Sequence, residues 1–284
     1  MSQVAADSAD QITDRRFMAR ALQLARRGWN GTSPNPRVGC VLVRDQQLIG
    51  EGWHQKAGEG HAEVNAIADC NANGESTIGA TAYVTLEPCS HQGKTPPCAN
   101  ALIDAAVARV VIAMEDPNPA VAGRGIAMLK AAGIAVSKID LSAEAEKLNP
   151  GFLKRMRTGR PRVTVKLAMS LDGRTAMASG ESQWITGPEA RADVQALRAE
   201  SCAIVAGVDT VLIDKASFAV RPAECPEPAH ERIQRQPLRV VLDSQRRMPN
   251  KARMFDEGGT VLLASTIEKS HPSADVLVLP SVGG

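Results

Sequence analysis

Apolar residues along the chain recur at two periods, and the switching between them sets out a layered architecture. Met18, Ala21, Leu22 and Ala25 follow the i, i+3, i+4, i+7 spacing of an amphipathic helix, expected to start at the cap-like pair Thr13–Asp14. VGCVLV at 38–43 and QLIGEGWH at 47–54 flank the polar turn RDQ and predict a β-hairpin. Helical spacing returns in HAEVNAIADCNA at 61–72, and TAYVTL at 81–86 predicts a strand. PCANALIDAAVA at 97–108 predicts a helix opened by proline, followed by the strand RVVIAM at 109–114. A helix over GIAMLKAAG at 125–133, ending on glycine, leads to a strand over IAVSKI at 134–139. Strands alternating with helices indicate an α/β domain.

Polarity rises through residues 140–161, a connecting helix and linker. A second α/β pattern then begins with a strand over RVTVKLAMS (162–170) and a helix over GPEARADVQALRAE (187–200). Strands follow over CAIVAG (202–207), LRVVLD (238–243) and TVLLAS (260–265), with a long loop expected across 214–237. The expected division is two domains, 1–150 and 151–284, within a chain of 284 residues.

Composition narrows the class of function. A formal net charge of +2 gives no polyelectrolyte signal, and the basic run FLKRMRTGRPR at 152–162 is a modest exception. Aromatic residues make up only 3%, which argues against a base-stacking surface for single-stranded nucleic acid. No apolar run approaches the ~20 residues that span a bilayer. The N-terminus MSQVAADSADQITDRRF lacks the basic-then-apolar order of a signal peptide, so the expected location is cytoplasmic. In a reducing compartment, paired cysteines more often bind metal or do chemistry than form disulfides. Of six cysteines, Cys40, Cys70 and Cys202 sit in apolar surroundings and are expected to be small buried hydrophobes. Cys225, in the proline-rich loop, has no partner pattern, which leaves Cys89 and Cys98.

His61 and Glu63 stand two residues apart at the start of a predicted helix, and Cys89 and Cys98 bracket a loop feeding the next one. One imidazole and two thiolates suit zinc and leave a fourth position for water, the arrangement of a catalytic rather than a structural zinc. Zinc lowers the pKa of that water, and Glu63 is placed to move its proton to a leaving amine. Attack on an amidine-like ring carbon with loss of ammonia is deamination. A closed Cys₂His₂ structural site with His91 as fourth ligand is the competing arrangement, but such sites favour short gaps between cysteines. Glu63 taken alone is an ordinary solvated helix residue. His54, His230 and His271 have no clustered partners and are expected to be structural or surface residues.

The His-Ala-Glu and Pro-Cys elements resemble the H-x-E and P-C-x-x-C signature of the cytidine-deaminase superfamily. The departure is the eight-residue gap SHQGKTPP between Cys89 and Cys98. With MARALQLARRG, SPNPRVGCV, GEGWHQKAGEGHAEVNAI, GATAYVTLEPCSHQGKTPPCANALI, EDPNPAVAGRGI, LNPGFLKRMRTGRP and VKLAMSLDGRTAMASGESQWIT, the chain resembles the bifunctional riboflavin-biosynthesis deaminase/reductase family. The resemblance is specific from about residue 17 to 187 and weaker to about 244. It implies a three-layer cytidine-deaminase-like α/β domain followed by a dihydrofolate-reductase-like α/β domain. It also implies a small-molecule phosphoribosylaminopyrimidine substrate, one Zn²⁺ in the first domain, NADPH in the second, and a homo-oligomer, with neither nucleic acid nor membrane as partner. Carried over by resemblance, His61, Cys89 and Cys98 bind zinc, Glu63 shuttles protons, and Asn35 hydrogen-bonds the pyrimidine. Asn35 read alone is a turn residue before proline.

For the second domain, resemblance puts NADPH near Ala168, Trp184, Thr210, Asp214 and Ser244. It puts substrate near Ser182, Arg198, Phe218 and Arg221, with Lys166 as a catalytic or orienting residue. Arg198 and Arg221 suit a phosphate because guanidinium forks match its oxygens. GESQWITG contains no Rossmann fingerprint, so the cofactor rests on the resemblance. The chain departs from the family at Asp214-Lys215-Ala216, where an Asp-Asp-Pro run is common. The family's reductase domain continues beyond the position of Gly284, so a truncated domain with impaired reduction beside a competent deaminase is the expectation. Two other functions stay open at this level: a tRNA-type base deaminase, which needs a basic surface, and a non-catalytic zinc-stabilised binding module.

Overall fold

In the computed structural model the alternation of residues 39–44 becomes β1 (Gly39–Arg44), whose side chains feed two separate cores. Residues 9–91, 96–119, 121–226 and 233–280 are described, in two compact units, Met1–Thr164 and Val165–Gly284.

The first unit is a five-stranded sheet in the order β2-β1-β3-β4-β5. β2 (Gln47–Trp53), β3 (Thr81–Val84), β4 (Arg109–Ile112) and β5 (Ala135–Lys138) complete it. β1 runs antiparallel to β2 and β3, while β3, β4 and β5 are mutually parallel. The β1–β2 turn carries Asp45 and Gln46 at φ of 51° and 62°, the backbone that lets a two-residue hairpin follow the strand twist.

Val41 and Val43 point to one face, packed with Met18, Ala21 and Leu22 of α1 (Ala9–Ala25) and Ala145 and Leu148 of α5 (Ser142–Leu148). α6 (Pro150–Thr158) adds Leu153 to the same core. Cys40 and Leu42 point to the opposite face, under α2 (Ala62–Ala72), α3 (Cys98–Asp104) and α4 (Arg124–Ala131). Helices on both faces make three layers, as expected. α2 lies unusually close to β2: a Cβ on Gly52 would stand 2.4 Å from Ala66 N, and one on Gly50 2.5 Å from Ala66 O.

α1 begins four residues before the expected start, with Thr13 Oγ1 donating to Ala9 O inside the helix. The Thr13–Asp14 pair is therefore not a cap. Asp14 is instead buried, accepting two bonds from Arg109 (2.9 and 2.7 Å) and one from the Tyr83 hydroxyl (2.9 Å). It ties α1 to β3 and β4, a long-range role that helical periodicity does not reveal.

The second unit holds four parallel strands in the order β6-β7-β8-β9: Ala203–Gly207, Leu238–Leu242, Val261–Ser265 and Asp275–Val278. α7 (Pro188–Glu200) precedes β6, and two short helices, α8 (Val208–Asp214) and α9 (Arg253–Asp256), were not foreseen. Val208, Val211, Val241, Met254 and Leu263 form its core. Arg239 is 1% exposed, its guanidinium donating to the carbonyls of Ser217, Met254, Glu257, Gly258 and Gly259. Burial lowers its pKa, and that ring of carbonyl dipoles takes the place of a carboxylate.

Two expectations need correction here. Residues 162–170 do not form a strand, although Val163, Val165, Leu167 and Met169 alternate as a strand should. Alternation supplies β-propensity, but a strand exists only with a ladder partner, and β6 and β9 bond only to β7 and β8 among the described residues. Cys202 is exposed rather than buried, at the point where the chain leaves α7 for the edge strand β6.

The Asp14 network yields a stability prediction. Asp14→Ala leaves Arg109 and Tyr83 facing a partly buried gap and should lower the unfolding free energy of the first unit by about 2–3 kcal/mol. Urea titration should show this as an earlier midpoint with an unchanged slope.

Candidate active site

Two helix N-termini converge at one end of the first unit's sheet. His61 is the N-cap of α2, and Glu63, in its first turn, is only 3% exposed. Cys98 opens α3 behind Pro97, which serves as its N-cap. Cys89 reaches the same point from the loop after β3, held by α3: Cys98 N donates to Cys89 Sγ (3.3 Å) and Ala99 N to Cys89 O (3.2 Å). His61 Nδ1 lies 3.2 Å from Cys98 Sγ and 3.7 Å from Cys89 Sγ. The three ligating atoms all lie within 4.8 Å of one another. His91 is exposed and stands outside this group; Gln92 to Thr95 of the intervening loop, like His230, fall outside the described residues.

The charges in this cluster are interdependent. The Cys98 thiol bonded to Cys89, with His61 beside it, pulls Cys89 down to about 4, the range of a thiolate. Cys98, which keeps the shared proton, is pushed up by that bond and by burial. His61 is raised, chiefly by its hydrogen bond to Cys89. Burial first, and the charge on Cys89 second, raise Glu63 to about 7. A carboxyl poised there can take and return a proton near neutral pH.

Asn35 faces this cluster across His54. The Asn35 Nδ2 atom is 3.2 Å from His54 Nε2, and His54 Nδ1 is 3.0 Å from the Gly60 carbonyl. A carbonyl only accepts, so Nδ1 carries the proton and Nε2 accepts from the Asn35 amide. Burial lowers the His54 pKa, which favours this neutral form. The amide of Asn35 is thereby oriented, with Oδ1 as its acceptor side. The His54 ring also packs edge-on against His61, with centroids 5.0 Å apart. His54 is thus no isolated structural histidine. Only the folding of β2 back onto α2 brings it here, and the sequence signal was its place at the end of a predicted strand.

In the second unit the expected residues fall into separate groups. Arg198, half-buried on α7, donates to Ala219 O (3.2 Å), and its guanidinium carbon is 6.0 Å from the Phe218 ring centre. Burial, then the neighbouring Arg221 charge, lowers the Arg198 pKa. Arg221 is bound by Glu224 at 2.6 and 2.7 Å. Thr210 and Asp214 lie on α8 just beyond the carboxyl end of β6, and Ser244 just beyond that of β7, with Arg247 bridging to Asp209 at 2.8 Å. Lys166, Ala168, Ser182 and Trp184 lie on the stretch between residues 165 and 187, which carries no strand. There the Trp184 ring stacks under Arg191 at 4.4 Å.

Comparison with known proteins agrees with this layout. Residues 11–114 match the family described as the cytidine and deoxycytidylate deaminase zinc-binding region, and residues 161–279 match the RibD C-terminal domain. The riboflavin biosynthesis protein RibD of Escherichia coli is 56% identical over 264 residues, covering 92% of this chain and 71% of that protein. The Haemophilus influenzae protein of that name is 55% identical over 254 residues, covering 88% and 68%. The chain belongs to the RibD family. Among solved structures, Acinetobacter baumannii RibD superposes with a TM-score of 0.86 at 48% identity, covering 96% of this chain and 75% of that one. The Thermotoga maritima diaminohydroxyphosphoribosylaminopyrimidine deaminase/5-amino-6-(5-phosphoribosylamino)uracil reductase superposes at 0.85 with 36% identity, covering 95% and 75%.

The donor set of this RibD-family chain fits zinc. At ordinary Zn–N and Zn–S lengths, a tetrahedral ion has ligand-to-ligand edges of about 3.5–3.8 Å, and the two imidazole–sulfur separations are 3.2 and 3.7 Å. Two further buried acids at the site escaped sequence reasoning. Glu87 and Asp116 flank it from the ends of β3 and β4, with Asp116 N donating to Glu87 Oε2 at 3.3 Å. Burial raises the Asp116 pKa. Cys98→Ser should drop zinc content from about one per chain to well below stoichiometric after dialysis against a chelator. Cys202→Ser, at an exposed cysteine, should leave it unchanged; metal analysis by mass spectrometry checks both.

Proposed function

We propose that this chain acts in riboflavin biosynthesis. Its first unit removes the 2-amino group of 2,5-diamino-6-(5-phosphoribosylamino)pyrimidin-4-one by hydrolysis, and its second carries the domain that in this family reduces the ribosyl group of the product to ribityl with NADPH. The observation that carries this reading is the convergence of buried Glu63 with His61, Cys89 and Cys98 at the N-termini of α2 and α3. His61, Cys89 and Cys98 would hold the zinc, which when bound supplies the Lewis acidity that makes a water acidic near neutral pH. Glu63 takes a proton from the attacking water and hands it to the departing amino nitrogen, so that water plus amine become carbonyl oxygen plus ammonia. Asn35, oriented by His54, presents its amide to the pyrimidine edge.

In the second unit, Thr210, Asp214 and Ser244 are assigned to NADPH. Thr210 and Ser244 follow the carboxyl ends of adjacent parallel strands, where ligands bind open α/β sheets. Trp184 and Ala168 are assigned to the same cofactor. Arg198 and Arg221 are assigned to the substrate phosphate, with Phe218 and Ser182 beside it and Lys166 as a catalytic or orienting residue. The substrate is a free small molecule rather than RNA, in keeping with the net charge of +2. Among the described residues no helix is long and apolar enough to cross a membrane. A cytoplasmic homo-oligomer is part of the same reading.

Glu63→Gln should reduce ammonia release by at least about 10²–10⁴-fold while zinc content stays at the wild-type level. Retained activity sinks the proton-shuttle role. Incubation with the diaminopyrimidinone phosphate should exchange one amino group for oxygen, as identified by mass. Uptake of RNA with a steep salt dependence in place of that conversion favours a nucleic-acid deaminase. For the second unit, Arg198→Lys exchanges a planar fork for a point charge. Calorimetry should show the deaminated phosphate binding about tenfold more weakly, as expected for one lost charged hydrogen bond.

A further inference from the structure

Glu87 has no part in the chemistry assigned above, yet it is 2% exposed and stands two residues before Cys89. Its carboxylate accepts four main-chain N–H groups: Oε1 from Gly125 (3.0 Å) and Ile126 (3.2 Å), Oε2 from Gly123 (3.0 Å) and Asp116 (3.3 Å). Gly125 and Ile126 open α4, whereas Asp116 follows β4, so one side chain ties two segments to the end of β3. The same seam is closed a second way, since a Cβ on Gly125 would stand 2.0 Å from the Pro88 carbonyl oxygen. Pro88 is therefore pressed against bare backbone while Glu87 is bonded to it. Beyond Pro88, the next residue is Cys89, whose remaining restraints come from α3.

We propose that Glu87 is the positioning residue of the metal-binding loop, its carboxylate fixing where the Cys89 sulfur stands relative to His61 and Cys98. The proposal rests on those three residues being the zinc ligands. A helix cap serving only stability needs the N–H groups of one helix; here the acceptor also spans to Asp116, and the chain it anchors leads straight into a ligand. Carboxylates and amides behind metal ligands commonly govern affinity in this way.

The test is Glu87→Gln in the full chain. The amide keeps the shape but sets an NH₂ group against two of the four N–H donors. The wild-type chain first establishes its own zinc stoichiometry and dissociation constant, by competition with a chromophoric chelator. Folded Glu87→Gln, judged by circular dichroism, should bind zinc about 10–100-fold more weakly. Loaded with cobalt(II), it should show an altered thiolate-to-cobalt absorption band, which a role in stability alone would not move. Gly125→Ala pushes on Pro88 from the other side and should shift the same band. Wild-type affinity with an unchanged cobalt spectrum in folded Glu87→Gln overturns the proposal. So does failure of that variant to fold with or without zinc, since the carboxylate would then serve the fold rather than the loop. A wild-type chain that takes up no zinc is a different failure, seen before any variant is made: it removes the ligand assignment itself.

Discussion

The close approach of α2 to β2 is the constraint on which the deaminase site depends. Gly50 and Gly52 alternate along β2 on the side facing α2, and at each a methyl group would run into helix backbone. Side chains at those places would push α2 outward and carry His61 and Glu63 with it, because both ride on its first turn. The rest of the site is set against this fixed element. Pro97 and Cys98 bring the N-terminus of α3 to the same place, and the loop after β3 delivers Cys89 between them. The positive ends of two helices thus border a cluster of sulfur and carboxylate, the side on which helix dipoles favour negative charge.

Placing these groups together determines how protons are shared. The two neighbouring sulfurs lower the Cys89 pKa and raise that of Cys98, while burial raises that of Glu63. His54 stays neutral by burial, and that neutrality lets its Nε2 accept from Asn35. A protonated His54 would offer two donors and turn the Asn35 amide around. The orientation of the Asn35 amide, proposed to meet the pyrimidine, therefore depends on a histidine that packs against His61.

Much of the fold was legible because it is built from local signals. The hairpin of β1 and β2 is announced by two apolar runs around a polar turn, α2 by helical spacing, α3 by the proline that opens it and α4 by the glycine that ends it. The grouping of His61, Cys89 and Cys98 was legible as residue types and order. What escaped was whatever depends on contacts across the chain. Asp14 looks like a helix cap until Arg109, 95 residues away, is seen to claim it. Arg239 looks like a polar break in a strand until five carbonyls are found around its guanidinium. Residues 162–170 show the opposite failure: a strand-like pattern, with Val163, Val165, Leu167 and Met169 exposed, has no ladder to join among the described residues.

The two buried glutamates of the site show why residue type and spacing alone do not assign roles. Glu63 and Glu87 are about equally buried, at 3% and 2% exposure, and each lies two residues from a proposed ligand. Their partners separate them. The carboxylate of Glu87 has four main-chain N–H groups aimed at its two oxygens, a set of donors that cannot move without moving backbone. Such an acceptor is suited to holding a chain in place. Glu63 faces thiol and imidazole groups that themselves gain and lose protons, and burial has brought its pKa to about 7. A buried acid among titrating neighbours is a candidate for passing a proton on, and one bonded to main-chain N–H groups is a candidate for holding backbone in place. The different roles proposed for the two rest on what each one touches, which H-A-E and L-E-P-C do not announce by themselves.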